Sequence, residues 1–144
     1  MTNESSIIIS EVPPAAIANL NSIELLSSKF ERGVSKEPTD LKMDIAIESN
    51  DLESELQVKM KVTMTSNPQE KMNIEVEMMA VFQKMNDADI PVDFFSNMSA
   101  APIIFAYIRQ HISYVSMLSG KLVVLPLLNF SEHYQRSQQK LLEG

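Results

Sequence analysis

Three segments of this chain alternate apolar with polar residues, and that period of two constrains the fold more than any motif does. Leu41, Met43, Ile45 and Ile47 alternate with Lys42, Asp44 and Glu48. Leu56, Val58, Met60, Val62 and Met64 alternate with Gln57, Lys59, Lys61 and Thr63. Met72, Ile74, Val76, Met78, Ala80 and Phe82 alternate with Asn73, Glu75 and Glu77. Successive side chains of an extended strand point to opposite faces, so each segment predicts a half-buried antiparallel strand. Ser49-Asn50-Asp51 and Ser66-Asn67-Pro68 supply turn residues between them, which makes the three a meander. If the second hairpin closes around residues 66–71, Lys59 and Lys61 lie roughly opposite Glu75 and Glu77. Cross-strand pairing of that kind sets register, and it is preferred here to a catalytic carboxylate pair.

The flanking segments supply the rest of one domain. Residues 1–14 read as an N-terminal arm ending in Pro13-Pro14, and residues 15–144 as a single unit. Ile17 to Leu26 predicts a first strand with irregular alternation. Ser27 to Thr39 still carries Phe30 and Val34; it is too long and too apolar for a hairpin and predicts a loop crossing over the sheet. Phe94 and Phe95 lead into a long helix, with Ser99 placed as N-cap and Pro102 in the first turn. Ile104, Ile108, Ile112, Val115 and Leu118 recur at helical spacing, and Phe105 widens that face. Gly120 is suited to end the helix in a left-handed conformation. Leu122 to Leu128 is then an extended apolar strip, and Ser131 predicts the cap of a second helix through about Leu142. The fold class is α+β: a four-stranded antiparallel sheet with a crossover loop, followed by one long and one short helix.

Composition removes several classes of function. The 144 residues include no cysteine, so there is no disulfide framework or thiolate chemistry, as suits a reducing compartment. A net charge of −7 disfavours nucleic acid, whose phosphates need clustered Lys and Arg. The first residues, MTNESSIIISEVPP, lack the basic region and long apolar core of a signal peptide, and no apolar run reaches transmembrane length. The expectation is a soluble cytoplasmic protein. Two histidines, His111 and His133, are too few for most zinc sites, and His111 beside the apolar helix face reads as a packing residue. With three glycines and no phosphate-binding or nucleophile-elbow motif, no enzyme, metal or cofactor is expected. Ten methionines read first as adaptable core filler and second as a promiscuous binding surface; a copper site is remote.

The segment from Pro102 to Phe130 carries a resemblance. Pro102, Ile103, Ile104, Phe105, Tyr107, Ile108, Arg109, His111 and Ile112, then Gly120, then Leu125, Pro126, Leu127, Asn129 and Phe130 form an ordered set that resembles the SecB family of protein-export chaperones. The likeness covers roughly Ile17 to Leu142 and is strongest from Ala101 to Phe130. It implies a sheet followed by two helices, assembled as a dimer of dimers. It also implies an ATP-independent holdase that keeps unfolded preproteins in an apolar surface groove for export. The groove it implies is formed by the crossing loop, the sheet and the segment around the second helix. By position this nominates Leu25, Leu26, Phe30, Val34, Leu122, Val123, Val124, Leu125, Leu127, Phe130 and Tyr134. Acidic sheet residues that contact the SecA motor are implied too, with Glu24, Glu75 and Glu77 as candidates. Phe105, Ile108, Ile112 and Val115 are the candidates for an oligomer interface. The sequence stops at Glu143-Gly144 without the tail that many SecB proteins dock on SecA, which favours the chaperone assignment over the SecA contact. Some SecB-like proteins guard antitoxins, so a chaperone dedicated to one partner is the alternative.

Leu122 to Leu128 tests these readings, because neighbouring side chains of an extended strip point opposite ways and cannot all bury against one surface. Either the strip packs half on its own sheet and half in an oligomer interface, or one side of it walls a client groove.

Overall fold

The computed structural model describes residues 17–31, 41–66, 72–85, 89–120 and 122–143. Four strands, β1 (Ala18–Glu31), β2 (Leu41–Asp51), β3 (Glu55–Ser66) and β4 (Asn73–Lys84), form one antiparallel sheet in the order β1-β4-β3-β2. The expected meander is β2-β3-β4. Its first turn comes later than Ser49-Asn50-Asp51, which belong to β2, and closes where the Leu52 N–H donates to the Glu55 carbonyl at 2.9 Å. At the second hairpin the Ser66 N–H donates to the Met72 carbonyl at 3.0 Å.

The registers align the apolar positions into rows across the inner face: Phe30, Ile74, Met64 and Met43 form one, and Leu25, Met78, Met60 and Ile47 another. Met60, Met64, Met72 and Met78 are buried, so these methionines fill core. On the outer face Glu77 lies opposite Lys61, while Met79 lies opposite Lys59. The ion pairs are Lys61 with Glu75 at 3.1 Å and Lys59 with Glu48 at 3.3 Å.

β1 departs from expectation in length. It runs on through Ser27 to Glu31, so Phe30 is a strand residue facing Ile74 and not part of a crossing loop. Register shifts fall between Leu20 and Ser22 and between Leu25 and Ser27. Each such bulge inserts one unpaired residue and resets which face the next side chain meets, and that is why the alternation here reads as irregular. Val34 and the rest of the connection, like the arm 1–14, lie outside the described residues.

The helical layer begins earlier than the sequence suggests. A first turn, α1 (Val92–Phe95), follows Pro91; a π-helical turn, Ser96–Ala100, leads directly into α2 (Ala101–Leu118). Ser99 is therefore inside the run and caps nothing. Proline at the start of α2 has no N–H to give to an i−4 carbonyl. Just before it the turn is wide, and the Ala101 N–H reaches back to the Ser96 carbonyl. α2 buries Ile104, Phe105, Ile108 and Ile112 in the same core as Leu56, Val58, Val62, Ile74 and Val76. Gly120, at φ 86°, ends it as expected. The second helix, α3 (Phe130–Glu143), is capped by Asn129 and not by Ser131: the Glu132 N–H donates to Asn129 Oδ1 at 3.0 Å.

Candidate functional site

The site is built on the strip between α2 and α3. Val123 and Leu125 are 9% and 1% exposed, whereas Leu122, Val124 and Leu127 are 60%, 60% and 82% exposed. The alternation expected of an extended segment is thus realised, with one side in the core. Among the described residues its backbone has no strand neighbour, and polar side chains of α2 take over that task. Arg109 Nε donates to the Leu125 carbonyl at 2.8 Å, Ser113 Oγ donates to the Val123 carbonyl at 3.3 Å, and Ser116 Oγ accepts from the Val123 N–H at 2.8 Å. Positions 109, 113 and 116 fall on one helix face, so the three form a clamp running along the strip.

The clamp delivers the end of the strip to the edge of the sheet. Among the described residues β2 is an edge strand, with β3 on one side only. Beyond its inner face lies a groove of about 400 Å³ lined by Met43, Asp44, Ile45 and Ile47 from β2 and by Leu128, Asn129, Phe130 and His133 opposite. Phe130 is held by edge-to-face contact with Phe105 at 5.5 Å between ring centroids. Ser49 Oγ and Ser96 Oγ, 2.6 Å apart, tie the far end of β2 to the π-helical turn. The result is an apolar trough with a polar rim beside a row of backbone groups that no strand pairs among the described residues. Such a surface suits an extended chain: apolar burial gives affinity at about 25 cal/mol per Å², and backbone pairing is indifferent to side-chain identity.

The nominated residues do not converge on one spot. Phe130 lines the groove, while Val123 and Leu125 are core. Leu25 and Leu26 are exposed on β1, at the opposite edge of the sheet. Phe30 is on β1 as well, and Val34 is outside the described residues. Tyr134 turns toward α1, its hydroxyl donating to Asp93 Oδ2 at 3.2 Å. Burial and the Asp93 carboxylate together raise its phenol above the ordinary tyrosine range. Met43, Ile45, Ile47 and Leu128 were not nominated; the alternation marked the first three as inner-face residues but not as edge residues.

Phe105, Ile108 and Ile112 pack into the chain's own core, and Val115 is partly buried. The exposed side of α2 is the opposite one, with Ile103, Tyr107, Tyr114, Met117 and Leu118. Glu24, Glu75 and Glu77 share the outer sheet face, where Glu75 already pairs with Lys61. His111 hydrogen-bonds Ser28 through Nε2 at 2.8 Å, in keeping with a packing role. No three His, Asp or Glu side chains gather as metal ligands among the described residues, and no helix there is long and apolar enough to cross a membrane.

The model of the family described as preprotein translocase subunit SecB matches residues 18–141. The chain belongs to the SecB family. Among solved structures, the Mycobacterium tuberculosis Rv1957 SecB-like chaperone, in complex with a ChAD peptide from the Rv1956 HigA1 antitoxin, superposes with a TM-score of 0.67. The alignment is at 15% identity and covers 80% of this chain and 90% of that one. A protein of unknown function from Streptococcus agalactiae gives a TM-score of 0.47 at 10% identity, covering 78% and 99%. No curated protein matches the sequence. The SecB fold expected from the segment Pro102 to Phe130 is therefore the fold of the whole domain.

Proposed function

We propose that this SecB-family protein is a holdase chaperone that works without ATP, keeping non-native polypeptides extended in the groove beside β2. The observation that carries the reading is the groove itself: Met43, Ile45, Ile47, Leu128 and Phe130 line it, next to the edge of β2 that no strand pairs among the described residues. Methionine and aliphatic walls accept varied side chains, as a general client site needs. Leu122, Val124 and Leu127 extend the apolar surface along the strip.

The exposed side of α2, from Ile103 through Leu118, is the surface on which copies associate, and a dimer of dimers is the expected assembly. Glu24 and Glu77, with Glu75, are the candidate contacts for SecA on the outer sheet face. The reading places the protein in the cytoplasm, with preproteins as clients. Rv1957, with its antitoxin peptide, supports a second reading: a SecB-fold chaperone dedicated to one partner.

Aggregation of two unrelated unfolded proteins, followed by light scattering without nucleotide, separates these readings. A general holdase suppresses both at near-stoichiometric ratio. Suppression of neither would refute general chaperoning and leave the dedicated reading.

A further inference from the structure

α3 is held to the rest of the molecule near its start. Phe130 is buried against Phe105, Asn129 caps the first turn, and Tyr134 makes the next contact. The Tyr134 ring stands edge-to-face on Phe94 at 5.9 Å, and its hydroxyl donates to Asp93 Oδ2 at 3.2 Å. Asp93 is itself oriented: Asn97 Nδ2 donates to its carbonyl at 2.8 Å and to its Oδ1 at 3.3 Å, which leaves Oδ2 for the phenol. Farther along, Leu141 and Leu142 are exposed. His133, which lines the groove, sits between the two anchoring aromatics Phe130 and Tyr134.

We infer that Asp93 and Tyr134 are a latch that sets the position of α3, and through it the Phe130–His133 wall of the groove. Both are positioning residues; neither lines the groove. The inference rests on the groove being the polypeptide site. α1 and the π-helical turn contain no ionisable side chain other than Asp93. On α3 the nearby titratable or charged side chains are His133 and the ion pair of Glu132 with Arg136. The latch is closed while the phenol is protonated. Since burial and Asp93 raise the phenol's titration, it is whole at neutral pH and opens only as pH rises above the ordinary tyrosine value of about 10.

The sequence contains no cysteine, so Gln139→Cys gives a single spin-label site on α3 of the full chain. Label mobility and the release rate of a fluorescent extended apolar peptide are measured for wild type, Tyr134→Phe and Asp93→Asn. Loss of the hydroxyl alone should raise the open population of α3 and the release rate by about two- to tenfold, the range for one hydrogen bond. Asp93→Asn keeps one accepting oxygen for two donors, Asn97 and Tyr134, so it should raise label mobility and release at neutral pH, by no more than Tyr134→Phe does. It removes the repulsion of the phenolate, so Tyr134 should ionise at lower pH in an ultraviolet titration. If Tyr134→Phe changes neither label mobility nor release, the latch is refuted. If the label responds but wild type binds no peptide, the latch stands and the groove reading fails.

Discussion

Ser116→Ala probes the clamp that makes the strip into a groove wall. Ser116 is completely buried, and its Oγ accepts from the Val123 N–H at 2.8 Å while donating to the Ser113 carbonyl at 3.1 Å. Truncation removes about one oxygen atom of volume, so the cavity contribution is small. The larger loss is at Val123, whose N–H is left without an acceptor in a buried site. An orphaned buried donor costs about 1–3 kcal/mol. With a urea m-value near 2 kcal/mol/M, a 2 kcal/mol loss lowers the unfolding midpoint by about 1 M. The assay is urea unfolding at one fixed protein concentration, since self-association would otherwise shift the midpoint. Ser137→Ala is the control: its hydroxyl also bonds a carbonyl, that of His133 at 3.0 Å, but on an exposed helix face. It should change stability by less than about 0.5 kcal/mol. If Ser116→Ala is as mild as the control, the strip is held by Val123 and Leu125 packing alone and the clamp is not what positions it.

Three further outcomes follow from the same geometry. Leu125→Ala empties a site 1% exposed and should cost about 2–5 kcal/mol in the same unfolding assay. Gly120→Ala forces a Cβ into φ 86° and should cost about 1–2 kcal/mol, with unchanged far-ultraviolet dichroism below the transition. Tyr107→Ser with Leu118→Ser removes apolar area from the exposed side of α2. It should lower the sedimentation coefficient toward that of a monomer without changing secondary structure.

The sheet was legible because strict alternation is a local signal: β3 and β4 bury Leu56 through Met64 and Ile74 through Phe82 as their patterns require. β1 was legible only to Leu26, since the two bulges shift its phase and make Ser28 and Phe30 look like loop. The groove was out of reach for a different reason. Whether Met43, Ile45 and Ile47 are core or rim depends on β1 inserting beside β4 and leaving β2 at the edge, which is a property of topology and not of β2. The apolar periodicity of α2 likewise marked the face that covers the sheet. Tyr107, Tyr114 and Leu118, on the other side, follow no pattern that separates an interface from solvent. Pro102 pointed to a helix start, but the π-helical turn ahead of it joined an earlier turn to the same run.

The central claim is the location of the client, and methyl nuclear magnetic resonance locates it directly. The methyl groups of Met43, Ile45, Ile47 and Leu128 report on the groove, and those of Ile103, Met117 and Leu118 on the far side of α2. On addition of an unfolded polypeptide, the first set should shift and the second should stay in place. Shifts confined to the second set would contradict the account and move the client site to the helix face assigned here to self-association.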